Sequence, residues 1–167
     1  MNRLPTEVHT YLESHTTLAL STRDGEGHPA VAPLFYALLP QGDLVFISSP
    51  HTEHVRNVAH HPLVALAVYR EGQEWQRIQG LQARGWAYEL PPEMHREAWD
   101  AYVQKFPFLR NLFDTAVPSV QQLRAALADA RWYAIRLTWV RIIDNRVAFG
   151  HKKEWQRSEE GSWVQIR

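Results

Sequence analysis

Cysteine is absent from the chain, which excludes disulfides, thiolate metal ligands and a cysteine nucleophile. It constrains the compartment only weakly. No stretch approaches the roughly 18 apolar residues of a membrane helix. The opening MNRLPTEVHTYLESH has no long apolar run, so no signal peptide is expected and a cytoplasmic protein is the default. Net charge is also missing: 18 Lys and Arg balance 18 Asp and Glu. No global field therefore draws nucleic acid or an acidic membrane. The short basic cluster His151-Lys152-Lys153 is followed at once by Glu154, as in a solvated turn. The glycine-rich nucleotide fingerprints G-x-G-x-x-G and the P-loop are absent, and so is the metalloprotease motif H-E-x-x-H. There is no repeat and no low-complexity linker.

What is present fits one globular domain over residues 1–167, with 45% hydrophobic and 22% charged residues. A chain of this length buries a sizeable core unaided. Seven tryptophans, six tyrosines and six phenylalanines suit a core, a planar ligand or an interface alike.

Pro5 to His15 reads as an opening helix with Val8, Tyr11 and Leu12 on one face. Thr16–Ser21 and Ala30–Leu38 read as strands around the Asp24-Gly25 turn, and Pro33 marks an edge or a bulge. A turn at Gln41-Gly42-Asp43 leads to a strand over Leu44–Ser48. Glu53–His60 is predicted helical with Thr52 as N-cap. Leu63–Tyr69 and Trp75–Leu90 follow as strands, the second kinked at Gly80 or Gly85. Pro91-Pro92 opens a helical insertion over about 92–131, with helices over Glu93–Lys105 and Ser119–Arg131. Strands return at Trp132–Ile143 and Arg146–Phe149, with short β segments at Trp155 and Trp163. Short strands joined by tight turns favour an antiparallel barrel or sandwich over a doubly wound sheet.

The stretch FISSPHTEHVRNVAHHP, 46–62, concentrates the chemistry. His51, His54, His60 and His61 suggest a metal, but no carboxylate pattern completes a ligand set, so no metal is predicted. An anion site fits better. A strand ends in two hydroxyls, Ser48 and Ser49, Pro50 turns the chain, and Thr52 opens a helix whose free N–H groups suit a phosphate. His54 and Arg56 add cationic donors. A capped turn, with Thr52 serving only its own helix, is the equal alternative.

In segment order, the chain resembles the pyridoxamine 5′-phosphate oxidase-like superfamily of FMN-binding split barrels, and within it a small bacterial subgroup. The segments that carry the resemblance are LALSTRDGEGHPAVAPLFYAL, FISSPHTEHVRNVAHHPLVALAVY, RIQGLQARGWA, KFP and DNRVAFGHKKEW, spread from Leu18 to Trp155. The resemblance implies a mainly β, α+β fold: an antiparallel Greek-key split β-barrel with helical insertions, forming a homodimer with FMN at the subunit interface. It assigns Ser48, Thr52 and His54 to the FMN phosphate, with Ser49 nearby. It sets Ala32, Pro33 and Leu34 beside the flavin ring, within reach of Gln79 or Gln82. Phe106, Trp132 and Trp155 are the aromatic candidates for closing the site from the second subunit.

The family often has Arg then Lys after the phosphate-loop hydroxyl, where this chain has Glu53 and His54. A carboxylate beside a phosphate is unfavourable unless it points away, and Arg56 is the compensating candidate. The substrate-phosphate residues of true pyridoxamine 5′-phosphate oxidases find no match, so that reaction is not expected. The resemblance implies a flavin-dependent oxidoreductase acting on a small molecule, with no catalytic side chain assignable. His95 and Tyr102 are candidates to line the substrate pocket, with simple packing the competing account. The alternative is a non-catalytic module carrying FMN, haem or a deazaflavin, with His51, His54 or His151 as haem ligands. A third reading is a dimeric scaffold without cofactor.

Overall fold

The computed structural model of the chain describes residues 3–113, 125 and 127–167. Helix α1, Thr6–Glu13, leads into strands β1, Thr17–Arg23, and β2, Pro29–Phe35. Two-residue β3, Ala37–Leu38, precedes β4, Leu44–Ser48, helix α2, Glu53–His60, and β5, Leu63–Tyr69. Then come β6, Gln79–Glu89, helix α3, His95–Lys105, and the long β7, Arg131–Asp144. Strands β8, Lys152–Arg157, and β9, Trp163–Gln165, close the chain.

All strands join one sheet with antiparallel pairings, in the order β2-β1-β5-β6-β7-β4-β3, while β8 pairs with β7 and β9 with β8. The sheet curls into a half-barrel. Its two ends come together where β2 approaches β4, and α2 packs against β1. Inside the curl lie Leu18 and Leu20 of β1, Phe46 of β4, Leu66 and Val68 of β5, Leu81 and Ala83 of β6 and Leu137 and Val140 of β7. They alternate with outward residues as a half-buried sheet requires. Val8, Tyr11 and Leu12 of α1 seal one mouth, as the apolar face of that helix predicts. Inside, Asn57 Nδ2 of α2 donates to Thr22 Oγ1 at 3.0 Å, so both polar groups are buried with a partner.

A second apolar cluster forms where α3 covers the outside of β4 and β7, around Leu39, Val45, Tyr102, Phe106 and Ala134. Tyr102 Oη donates to the Phe35 carbonyl at 2.8 Å, which ties α3 to the end of β2. The curl tightens at a bulge between Arg84 and Gly85, where β6 shifts register against β7.

Several boundaries differ from the sequence reading. The predicted strand Ala30–Leu38 breaks at Tyr36, whose ring is fully buried and whose Oη donates to the Leu12 carbonyl at 2.8 Å. Trp75–Arg77 is a 3-10 turn, so β6 starts only at Gln79. Arg146–Phe149 is a turn rather than a strand, with Val147 and Phe149 exposed. There Asp144 accepts from the backbone and guanidinium of Arg146, which folds the chain back on itself. Of the second predicted helix, residues 119–124 and 126 lie outside the described residues. Its predicted last residue, Arg131, already belongs to β7.

Candidate functional site

Strand β4 ends at Ser48, and α2 begins five residues later. This short connection folds three polar side chains together. Ser48 Oγ lies 2.7 Å from His54 Nε2 and 3.2 Å from Thr52 Oγ1, and Thr52 Oγ1 lies 3.2 Å from His54 Nε2. Thr52 Oγ1 also donates to the Ser49 carbonyl at 2.9 Å. Its proton is thereby committed, so Thr52 can only accept from Ser48 or His54. One consistent chain runs from His54 Nε2–H to Ser48, from Ser48 to Thr52, and from Thr52 to the Ser49 carbonyl.

Thr52 occupies the N-cap position as predicted, but its hydroxyl makes no capping bond to α2. The first N–H groups of α2 therefore have no side-chain acceptor, the condition under which a helix start receives an anion. Burial holds the His54 imidazole below its ordinary value, opposed by the Glu53 carboxylate. Phe46 supplies part of that burial, with ring centroids 6.3 Å apart. The Glu53 side chain itself is exposed.

The predicted set divides. Ser48, Thr52 and His54 converge. Ser49 turns away: its hydroxyl donates to Asp129 Oδ2 at 3.0 Å and accepts from the His51 N–H. Arg56 is not a free cation over the loop, because its Nη1 donates to the His51 carbonyl and braces the turn. Ala32, Pro33 and Leu34 are split by strand alternation, Ala32 and Leu34 half-buried and Pro33 outward. β2 is the terminal strand of the sheet, which answers to the edge rather than the bulge of the two alternatives that Pro33 leaves open in the sequence. Pro33 and Gln79 line one cleft of about 610 Å³ together with Ala19, Ala67 and Tyr69. Gln79 Nε2 donates to Asp144 Oδ2 at 2.9 Å. Gln82 is exposed, and its Oε1 accepts from Arg141 Nη1 at 3.2 Å.

The aromatic candidates fare differently from their prediction. Trp155 belongs to the core inside the curl and is 6% exposed. Phe106 is 5% exposed, packed edge-on to Phe35 at 5.3 Å and tilted against Tyr102 at 5.0 Å. Both are committed to packing within their own chain. Trp132 is half-buried beside Tyr102, with centroids 5.2 Å apart. Tyr102 is buried, and His95 Nε2 bonds with the Leu90 carbonyl at 3.0 Å, so these two serve the α3 cluster rather than a pocket. His51 is exposed and within 3.9 Å of Asp129, and His151 is half-buried. No group of three or more metal-ligating side chains occurs among the described residues.

Sequence reasoning missed Arg131. It stands directly across from Ser48 in the β4–β7 ladder, on the same face of the sheet. Its guanidinium now pairs with the exposed Glu89 carboxylate at 3.3 Å. Only the register of two strands some eighty residues apart reveals it as a cation beside the hydroxyl cluster.

The profile of the family described as pyridoxamine 5′-phosphate oxidase matches residues 4–144. The chain belongs to this family. Relatives include the UPF0306 protein plu4501 of Photorhabdus laumondii, 23% identical over 150 residues, covering 90% of this chain and 94% of that protein. Among solved structures, the pyridoxamine 5′-phosphate oxidase-related, FMN-binding protein of Nostoc punctiforme superposes with a TM-score of 0.70 at 14% identity, over 100% of both chains. HutZ, the haem storage protein of Vibrio cholerae, gives 0.58 at 19% identity, over 81% of this chain and 90% of its own. At these identities the likeness shows the split-barrel fold expected from the sequence. No helix among the described residues is long and apolar enough to cross a membrane.

Proposed function

We propose that this chain binds FMN, with the flavin phosphate at Ser48, Thr52 and His54, and acts as a flavin-dependent oxidoreductase on a small molecule. The observation that carries this reading is the convergence of two hydroxyls and an imidazole, within 3.2 Å of one another, at the uncapped start of α2. The group fits a phosphate when the anion takes the Ser48 hydroxyl and a protonated His54 as donors in place of their bonds within the cluster, and the first N–H groups of the helix add their dipole. Glu53 is exposed, so solvent screens the charge that counts against a phosphate in the sequence. Arg131 reaches the same neighbourhood once it leaves Glu89.

FMN, when bound, supplies the hydride chemistry, while the chain binds and orients it. The outer face of the sheet leaves Val31, Phe35, Leu63 and Trp86 exposed, Leu63 and Trp86 being direct cross-strand neighbours. Such a face supports a homodimer that closes the ring site.

A second reading, haem, draws on the haem storage protein with this fold and on an imidazole whose burial favours the neutral form that ligates a metal. Against it, His54 Nε2 is already held by Ser48 at 2.7 Å. The visible spectrum after purification, and again after adding FMN and removing the excess, decides. A retained flavin spectrum that disappears in the Thr52→Ala/His54→Ala double variant is the expected result. A Soret band moves the assignment to haem, and a colourless protein that retains no FMN refutes the flavoprotein reading.

A further inference from the structure

On the side of the molecule formed by α1, β3 and α3, a cleft of about 940 Å³ opens between the helices. Lys105, the last residue of α3, lines it. Its Nζ donates to the Leu12 carbonyl at 2.9 Å and sits 4.0 Å from the centroid of the Tyr36 ring. Tyr36 and Leu12 are both fully buried, so the amine is fixed against an apolar wall and not splayed into solvent. A neutral amine has two N–H bonds and one lone pair. With the Leu12 carbonyl and the Tyr36 ring face engaging two N–H bonds, loss of the third proton of the ammonium frees a lone pair for a molecule in the cleft.

We propose that Lys105 is a nucleophilic amine that captures small aldehydes, reversibly, in this second cleft. The Nζ lone pair attacks the carbonyl carbon, a C–N bond forms, and the carbinolamine loses its oxygen as water to leave an imine. No oxidant or reductant is consumed. The groups around the amine select the class of aldehyde. Glu13 of α1 and Glu93, Glu97 and Asp100 of the α3 region line the same cleft, against Arg96, which pairs with Asp100 at 4.0 Å. Carboxylates outnumber cations there, so an anionic carbonyl compound is repelled and a neutral or cationic one admitted.

The amine's own acidity agrees with the geometry. Burial pushes Lys105 down to about 8, against the opposing pull of Glu13. An appreciable fraction is therefore unprotonated near neutrality, where an ordinary lysine is almost wholly charged.

The chain has three lysines, Lys105, Lys152 and Lys153, so two serve as internal references. Lys153 is paired with Glu7, and Lys152 lies on the same strand, β8. The intact protein is treated at neutral pH with propionaldehyde and cyanoborohydride, whose hydride fixes any imine as a secondary amine. Modified peptides are then quantified by mass spectrometry. The expected result is trapping at Lys105 about tenfold faster than at Lys152 or Lys153, consistent with its lowered basicity. Glyoxylate, an anionic aldehyde of similar size, is expected to lose that preference. In Lys105→Arg, which keeps the tether to Leu12 but lacks the nucleophile, the fast adduct disappears. Equal rates at all three lysines, or a Lys105 that reacts only after denaturation, overturn the proposal and leave a purely structural tether.

Discussion

The phosphate assignment makes one prediction that separates it from simple affinity for a flat ring. FMN and riboflavin differ only in the phosphate, so their affinity ratio isolates that group. In His54→Ala the cluster loses its only cationic donor, while Ser48 and Thr52 keep each other at 3.2 Å. Hydrogen bonds to charged groups contribute about 1.5–3 kcal/mol, so FMN binding should weaken by roughly 10- to 150-fold. Riboflavin binding should be unchanged, because the imidazole packs on Phe46 and does not line the cleft of Pro33 and Gln79.

The pH dependence follows from the same residue. Free His54 is held below its ordinary value of 6.5 by burial. A bound phosphate favours the imidazolium, so binding takes up a proton. FMN affinity should then fall as pH rises from the value of the free imidazole through the higher value His54 has in the complex, and level off beyond it. The charges facing it are Glu53 and Arg56 on α2, His51 and Asp129 beside the loop, and Arg131 with Glu89 across the strand. Flavin fluorescence titrations of both ligands, across pH and in both proteins, measure all of this. Equal loss of FMN and riboflavin in His54→Ala, or an FMN affinity flat with pH, would refute the assignment.

Two further outcomes test the fold that holds the site. A methyl on Gly85 would run into the Arg136 carbonyl and come within 3.0 Å of Ile135 Cγ2, whereas at Gly80 the nearest atoms are 3.9 Å away. Gly85→Ala should therefore cost about 3 kcal/mol, a fall of roughly 6–12 °C in Tm, and Gly80→Ala far less. Thermal melts that shift equally would mean the bulge is not the constraint. Trp155→Ala should cost about 3–5 kcal/mol in denaturant unfolding, as a large core residue does, and a variant of native stability would return Trp155 to the ligand-contacting set.

The fold was legible wherever local chemistry decided it. Val8, Tyr11 and Leu12 announce the helix that seals the curl, and Asp43 and Gly42 the turn into β4, because periodicity and turn residues act over a few positions. The strand that breaks at Tyr36 was not legible, since that break follows from a tyrosine reaching the Leu12 carbonyl across 24 positions.

The site divides the same way. Ser48, Thr52 and His54 sit within seven residues, so strand end and helix start suffice to bring them together. The pairing of Ser48 with Arg131 and of Ser49 with Asp129 is tertiary and left no local trace. The aromatics show the limit most clearly. Phe106, Trp132 and Trp155 are equivalent as composition, but register puts Trp155 opposite Val140 inside the curl and Trp132 opposite Ile47 on its outside. Alternation along a strand assigns a face only once the partner strand is known. Of the three, only Trp132 keeps surface for a ligand or a second subunit. If an aromatic of this chain closes the flavin site, Trp132→Ala should weaken FMN and riboflavin alike, whereas His54→Ala weakens FMN alone. The two variants thereby separate the ring contacts of the site from its phosphate contacts.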